Sequence, residues 1–180
     1  MVSFKLQSGV TLREFEHGDT QAVFEAVMAN YEHLKGFMHW MSPDYSLQSA
    51  KDFVEQSIAG RADRKALGFG IFRKKKFIGS IGFVYFDWRA KKSEIGYWIA
   101  RDEEGKGIVT EASRALIRFA FKDLGLNRIE IRCSSVNERS SAIPKRLGFT
   151  KEGLLRQAEF RDGGLHDFEI YGLLASEWQE

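Results

Sequence analysis

The sequence lacks the cysteines that hold small secreted domains together, since it has only one among its 180 residues. Cys133 alone excludes an intrachain disulfide and favours a reducing compartment. No apolar run approaches the ~20 residues that a membrane-spanning helix needs, and residues 1–10 lack the apolar core of a signal peptide. We therefore expect a cytoplasmic protein without a membrane partner.

An excess of charge of one sign is also missing, because 27 Lys and Arg residues oppose 25 Asp and Glu residues, giving a formal charge of +2. Nucleic-acid binding usually requires a strongly basic surface, so no nucleic-acid partner is expected. His17, His33 and His39 show no ligand spacing, so no metal is expected either. With two prolines and no low-complexity linker, the chain is predicted to be a single domain over residues 1–180.

Hydrophobic periodicity predicts alternating strands and helices. Strands are predicted at residues 10–15, 67–72, 77–87, 92–100, 129–134, 149–161 and 165–173. Helices are predicted after Asp19, after Ser46, after the turn at Gly107, and near Ser140 with Pro144 in its first turn. The last two strands are joined across Asp162-Gly163-Gly164, a strong hairpin signal. Cys133 alternates with polar neighbours and is predicted to be a small buried hydrophobe. The pattern indicates an α/β chain with a mixed sheet and helices on its faces.

The most informative segment is E-E-G-K-G-I-V-T-E-A at residues 103–112, between an apolar strand and an amphipathic helix. Gly105 and Gly107 allow close approach of the backbone to a ligand. The N–H groups at the start of the helix form a ready anion site. The segment is neither a Walker A loop nor a complete dinucleotide fingerprint. It therefore predicts a cradle for a phosphate or pyrophosphate of another kind.

The order of elements, the glycine turn and N-E-R-S-S-A-I-P-K-R-L-G-F at residues 137–149 together resemble the GCN5-related N-acetyltransferase (GNAT) superfamily. The resemblance covers essentially the whole chain and is greatest to the RimJ/RimL type, the ribosomal-protein N-terminal acetyltransferases. It implies the GNAT fold, a single mixed, mostly antiparallel sheet of about six to seven strands with helices on both faces. Many proteins that resemble this chain are dimers, which leaves a homodimer open.

Two positions depart from the family signature Q/R-x-x-G-x-G/A. Glu104 stands where Gln or Arg is usual, and Val109 where Gly or Ala is usual. Val109 still supplies a main-chain N–H. Glu104 places a negative charge beside the predicted pyrophosphate site, so Lys106 or Arg101 is expected to offset it.

The resemblance implies acetyl-CoA as the acetyl donor. Its pyrophosphate would lie on the glycine turn and its pantetheine arm would add to the preceding strand, where the Ile99 amide would polarise the thioester carbonyl. The residues implied to hold acetyl-CoA are Trp98, Ile99, Ala100, Gly105, Lys106, Gly107, Ile108, Val109, Thr110 and Asn137.

The resemblance also implies the catalytic groups: Glu159 as general base and Ser140 as the acid that protonates the leaving thiolate. Glu94 is the alternative base, on the strand that leads to the pocket, and Trp40 and Tyr97 are placed at the acceptor slot. An α-amine with a pKa of ~8 is roughly one-tenth neutral at pH 7, so one carboxylate acting through water would suffice. Structural roles remain as alternatives, with the serine as a helix cap and the carboxylates as solvated or hydrogen-bonded groups.

The acceptor is left open by the sequence. The leading hypothesis is the N-terminal α-amine of a protein, in particular a ribosomal protein. A small amine such as a polyamine, amino acid or aminoglycoside would favour a pocket ringed by carboxylates, for which Asp19, Glu32, Asp44 and Asp87 are available. A CoA-binding sensor without turnover is favoured only by the two departures from the signature.

Overall fold

The computed structural model describes residues 1–161 and 163–179, except for the Arg161 side chain. Asp162, in the predicted hairpin turn, and Glu180 lie outside the described residues. The strands are β1 (Ser3–Lys5), β2 (Val10–Glu14), β3 (Leu67–Arg73), β4 (Lys76–Asp87), β5 (Lys92–Ile99), β6 (Arg128–Ser134), β7 (Thr150–Arg161) and β8 (Gly164–Leu174). The helices are α1 (Thr20–Ala29), α2 (Tyr31–Leu34), α3 (Leu47–Ala62), α4 (Ile108–Lys122) and α5 (Glu138–Arg146).

The eight strands form one sheet in the order β1-β2-β3-β4-β5-β6-β8-β7. Neighbouring strands are antiparallel except β5 and β6, which are parallel. The seven predicted strands are present. The structure adds β1, so the sheet has eight strands, slightly more than the expected six to seven. This strand has only three residues and its side chains are at most partly buried. Val2, Phe4 and Leu6 alternate with polar residues and pack against the core, so a short alternating signal was present and was passed over.

Helices cover both faces of the sheet, as predicted. The core on one face contains Leu116 of α4, Ile143 of α5 and Ile131 of β6. The core on the other face contains Val54 of α3 and Trp98 of β5. Because successive side chains of a strand point to opposite faces, β5 contributes to both cores. Within the described range, none of the helices is both long and apolar enough to cross a membrane.

Cys133 lies on the α4 side of β6 and is 4% exposed, as predicted. Burial raises the pKa of its thiol to about 11. The thiol is therefore neutral at physiological pH and acts as a small packing residue.

Helix starts agree with the sequence in part. Ser46 caps α3, with its hydroxyl accepting the Ser49 N–H at 3.3 Å. Asp19 precedes α1 but makes no side-chain cap bond, because its carboxylate accepts hydrogen bonds from the Arg13 guanidinium at 2.6 and 2.8 Å. Asp19 therefore does not cap α1; its carboxylate forms an ion pair that connects β2 to the start of α1.

Candidate active site

The strands β5 and β6 separate before either one ends. Their last parallel pair joins Glu94 to Glu130, whereas β5 continues to Ile99 and β6 to Ser134. On its other edge β5 remains paired with β4 as far as Ile99. Over residues 95–99 of the described chain, the edge of β5 that faces β6 therefore forms no ladder bonds, and its peptide groups are available to a ligand.

The direction of one peptide group at this edge follows from its neighbour. The Ala100 N–H donates to the Ile78 carbonyl oxygen in β4 at 2.8 Å. Since successive peptide groups of a strand point to opposite edges, the Ile99 N–H points into the gap between β5 and β6.

The turn after β5 contains two glycines in the left-handed region, with φ +73° at Gly105 and +75° at Gly107. A Cβ at either glycine would meet no atom within 4 Å, so the backbone conformation, not crowding, requires glycine. Gly107 caps α4, and its carbonyl oxygen accepts the Glu111 N–H at 3.0 Å. The N–H groups of residues 108–110 precede this first helical bond, and such groups at a helix start are suited to an anion.

The two departures from the family signature have different structural settings. The Val109 side chain packs into the core beside α4 and is 8% exposed, so its methyl groups do not fill the anion site. The Glu104 carboxylate pairs with the Arg139 guanidinium of α5 and contacts His33 Nε2 of α2 at 3.3 Å. The two residues reach Glu104 from separate elements, and the Arg139 guanidinium offsets its charge.

Of the two residues expected to offset Glu104, Lys106 is directed to a different carboxylate, and the role of Arg101 stays a prediction. Lys106 Nζ pairs with Glu103 at 3.0 Å, and the same buried carboxylate accepts from Arg73 at 3.0 Å. Burial acts to raise the pKa of Glu103, but the hydrogen bonds from Arg73 and Lys106 lower it below its ordinary value. Lys106 is therefore directed to Glu103, three residues earlier, and not to Glu104, two residues earlier.

The amino end of α5 forms the facing wall. Asn137 caps this helix, and its Oδ1 accepts the Ser140 N–H at 3.0 Å. Its side-chain oxygen is therefore used within the protein, and its NH₂ group is the part that can donate to a ligand.

Pro144 lies inside α5, not in its first turn as predicted, because the helix begins at Glu138. A proline has no N–H to donate to the carbonyl oxygen four residues earlier, which here belongs to Ser140. The Tyr97 hydroxyl donates to this oxygen at 3.1 Å and lies 3.2 Å from Ser140 Oγ. A side chain of β5 thus replaces a missing bond of the helix.

These elements line one cleft of about 1190 Å³. The predicted site residues that line it are Tyr97, Trp98, Ile99, Gly105, Gly107, Ile108, Val109, Thr110, Asn137 and Ser140. The predicted residues that are not among its lining are Trp40, Glu94, Ala100, Lys106 and Glu159. The structure therefore brings together most of the predicted donor site with one of the three predicted catalytic groups.

The two candidate bases have different surroundings. The Glu159 carboxylate in β7 lies 3.3 Å from His39 Nδ1. The Glu94 carboxylate in β5 lies 3.3 Å from Arg132 Nε. A terminal guanidinium nitrogen of Arg132 contacts Glu130 at 3.1 Å. Burial raises the pKa of Glu94, although the charge of Arg132 opposes this shift.

Trp40 and Tyr97, which the sequence places together at the acceptor slot, are not brought together. The Trp40 ring lies 6.4 Å from the ring of Trp98, which belongs to the core on the α3 side. Tyr97 packs against the core on the α4 side. The sheet therefore separates the two side chains.

Sequence reasoning missed Arg139 and His33, both of which line the cleft. The unexpected negative charge of Glu104 was the available signal, since a partly buried carboxylate needs a cation. Across residues 1–161 and 163–179, no cluster of three or more His, Cys, Asp or Glu side chains is placed to hold a metal ion.

A sequence profile of the acetyltransferase (GNAT) domain matches residues 10–150. This chain belongs to the GNAT acetyltransferase family. It is similar to YdaF of Bacillus subtilis (strain 168), with 33% identity over 180 residues that cover 99% of this chain and 98% of that protein. GNAT members and the relatives of this chain are N-acetyltransferases, and this chain is an enzyme of that type.

Two solved structures have the same fold as this GNAT chain. RimL, the ribosomal L7/L12 alpha-N-protein acetyltransferase, in complex with coenzyme A, superposes with a TM-score of 0.92 at 25% identity, covering 96% of this chain and 98% of that chain. The microcin C7 self-immunity acetyltransferase MccE, in complex with acetyl-CoA and AMP, superposes with a TM-score of 0.86 at 32% identity, covering 92% of each chain.

Proposed function

We propose that this GNAT enzyme transfers the acetyl group of acetyl-CoA to the N-terminal α-amine of a protein, with ribosomal proteins as the acceptor class. The observation that carries the proposal is the single cleft in which an unpaired helix start, an unpaired strand edge and a serine hydroxyl follow one another. A ligand with a pyrophosphate, an amide-bearing arm and a thioester presents matching groups in the same order. The coenzyme A complex of RimL supports this donor.

In this proposal the glycine turn holds the pyrophosphate. The main-chain N–H groups of residues 105–110 supply the donors, with the positive end of α4 behind them. Lys106 contributes through its backbone, because its ammonium pairs with Glu103. In this proposal Lys106 thus binds the pyrophosphate through its main-chain N–H, and its ammonium makes no direct contact with the phosphates.

The pantetheine arm would add to β5 as a further strand. The Ile99 peptide group points into the gap, whereas the peptide groups of Trp98 and Ala100 point toward β4. Trp98 and Ala100 therefore shape the wall, and Ile99 provides the main-chain bonds. The Asn137 NH₂ group faces the arm from the opposite side of the cleft.

The Ile99 N–H also serves the chemistry. When the amine attacks the thioester carbonyl, negative charge develops on the carbonyl oxygen, and a fixed N–H donor stabilises that charge. The Ser140 hydroxyl then donates a proton to the departing thiolate sulfur. The amine proton is lost to Glu159 through a water, with Glu94 as the alternative base. The cycle closes when Ser140 regains a proton from solvent and the base returns its proton to solvent.

An N-terminal α-amine suits these groups better than an alkylammonium ligand does. Of the four carboxylates that could ring a small-amine pocket, Glu32 lines the cleft, whereas Asp19, Asp44 and Asp87 do not. Asp19 is paired with Arg13. Of the other acidic residues that line the cleft, Glu103 and Glu104 are held in ion pairs with protein side chains. The partly exposed Trp40 ring beside Trp98 offers an aromatic contact for a peptide end.

A small-molecule acceptor is the second candidate, favoured by the MccE structure, which is in complex with acetyl-CoA and AMP.

A panel of acceptors separates the two candidates. Thiol release from acetyl-CoA would be measured with ribosomal N-terminal peptides, with the same peptides already acetylated at the N-terminus, and with spermidine, an aminoglycoside and an amino-acid nucleotide. We expect release with the free peptides alone. Release only with small amines would contradict the peptide assignment, and CoA binding without release from any amine would favour a sensor.

The base is tested with Glu159→Gln and Glu94→Gln, each serving as the other's control. Loss of a general base lowers kcat by roughly 10²–10⁴-fold, and we expect this loss in Glu159→Gln. Loss in Glu94→Gln with full activity in Glu159→Gln would transfer the role to Glu94. Thiol release that Glu159→Gln abolishes would also exclude a sensor without turnover.

A further inference from the structure

Ser140 is held at three atoms by two residues. Its N–H donates to Asn137 Oδ1 at 3.0 Å, its carbonyl oxygen accepts from the Tyr97 hydroxyl at 3.1 Å, and its Oγ lies 3.2 Å from the same hydroxyl. A helix cap needs only the first of these contacts. The other two restrain the side chain that faces the cleft.

Pro144 makes this arrangement available. In an uninterrupted helix the Ser140 carbonyl oxygen would accept the main-chain N–H four residues later. Pro144 has no such N–H, so the oxygen is left to Tyr97, which approaches from β5. The proline and the tyrosine are therefore two parts of one contact.

The hydrogen positions follow from what each atom can do. A carbonyl oxygen only accepts, so the Tyr97 hydroxyl hydrogen is directed at the Ser140 side, within reach of both the carbonyl oxygen and Oγ. In the contact between the two hydroxyls either oxygen can be the donor. In the arrangement in which Tyr97 donates to both atoms, Ser140 Oγ accepts and its own hydrogen is left for another acceptor. A hydroxyl that accepts one hydrogen bond is also a stronger donor in the next.

We propose that Tyr97 is a positioning residue, which fixes the Ser140 hydroxyl so that its hydrogen faces the sulfur of the departing thiolate. This inference rests on the acid role proposed for Ser140. It differs from the acceptor-slot role that the sequence suggests for Tyr97, because it places the tyrosine behind the acid and not against the amine.

The test compares Tyr97→Phe in the unchanged protein and in the Ser140→Ala variant, which removes the hydroxyl that Tyr97 would orient. We expect Tyr97→Phe to lower kcat roughly tenfold while the acceptor KM and the CoA Kd stay within about twofold. In the Ser140→Ala background it should cause no further loss, because residues that act as one unit are not additive. An equal loss in both backgrounds, or no loss in either, would overturn the proposal.

Two further variants separate positioning from folding. Tyr171→Phe is the matched control, since it removes a buried tyrosine hydroxyl that donates to Glu169 at 2.7 Å on the same side of the sheet, and it should leave kcat unchanged. Pro144→Ala returns a main-chain donor to the Ser140 carbonyl oxygen. The kcat loss of Tyr97→Phe should persist in this background, and its recovery would show that Tyr97 serves only the helix.

The acid role of Ser140, on which the positioning role of Tyr97 rests, can be contradicted separately. Full kcat in Ser140→Ala would remove the acid role and the positioning role together. A kcat loss in Ser140→Ala, together with an equal loss from Tyr97→Phe in both backgrounds or no loss from it in either, would remove only the positioning role.

Discussion

Glu104 is the residue at which this chain differs most from its family signature. Its carboxylate stands at the glycine turn, where a pyrophosphate is proposed to bind, yet Arg139 and His33 both contact it. All three side chains line the cleft. The anionic side chain therefore repels a phosphate and also engages the Arg139 guanidinium, a cation that could otherwise attract one.

Glu104→Gln should therefore tighten the binding of CoA. Removal of one charge at a partly exposed ion pair is worth about 1 kcal/mol, which corresponds to a Kd roughly fivefold lower. Isothermal titration with CoA measures this change. Glu138→Gln is the control, because Glu138 lines the same cleft beside Arg139 but is not part of the Glu104 pair, and it should change the Kd less. Weaker binding by Glu104→Gln would show that its ion pairs shape the cleft.

At the scale of elements, α5 supplies both a cap and a ligand donor through one side chain. Asn137 Oδ1 is bonded to the Ser140 N–H, and the NH₂ group of the same amide is proposed to meet the pantetheine arm. An aspartate can replace the first function but not the second. The two functions can therefore be separated by substitution.

We expect Asn137→Ala to lower the free energy of unfolding by about 1 kcal/mol, the usual value for a lost cap, and to weaken CoA binding. Asn137→Asp should keep the stability, because Asp is an equally good cap, and should still weaken CoA binding. Denaturant titration and a CoA binding assay measure the two effects. Normal CoA affinity in Asn137→Asp would contradict the proposed contact with the pantetheine arm.

Prediction of the elements succeeded where a local signal existed. The apolar alternation of β6 and the left-handed glycines before α4 depend on neighbours in the sequence, so both were readable. The start of α5 was misplaced because Pro144 was assigned to a first turn. Its tolerance inside the helix depends on Tyr97, which lies 43 residues away from Ser140.

At the scale of the whole molecule, Glu103 joins segments that are distant in sequence. Its buried carboxylate accepts from Arg73 at the end of β3 and from Lys106 in the glycine turn. Arg73 also donates to the Ser8 carbonyl oxygen between β1 and β2 at 3.4 Å. The amino-terminal strands and the proposed phosphate site are thus connected through one ion cluster.

The lowered pKa of Glu103 predicts how stability changes with pH. A carboxyl group whose pKa is lower in the folded state contributes stability above its unfolded pKa and loses it as the pH falls through the folded value. Burial opposes this shift, and the bonds from Arg73 and Lys106 cause it. The contribution should therefore be complete at pH 7 and should decline below the ordinary value of 4.5.

Glu103→Gln should accordingly reduce the free energy of unfolding at pH 7 by about 1.5–3 kcal/mol, the range for hydrogen bonds to charged groups. The difference from the unchanged protein should shrink as the pH falls below 4.5. Denaturant titrations across this range measure it. Asp102→Asn is the control, since this exposed neighbour contacts Lys76 at 3.6 Å and should have little effect. A difference that is constant with pH would show that packing, not charge, is responsible.

The sequence by itself determined the family, the reaction class, the order of the main elements and the glycine turn. Each depends on residue type, periodicity or a backbone conformation that few residues adopt, all of which are local properties. The tertiary structure alone decided where β5 and β6 separate, that Arg139 reaches Glu104 across 35 residues, and that Tyr97 contacts Ser140. These contacts depend on how distant segments pack, because a side chain binds whichever partner the fold brings within a few ångströms and not the nearest charge in the sequence.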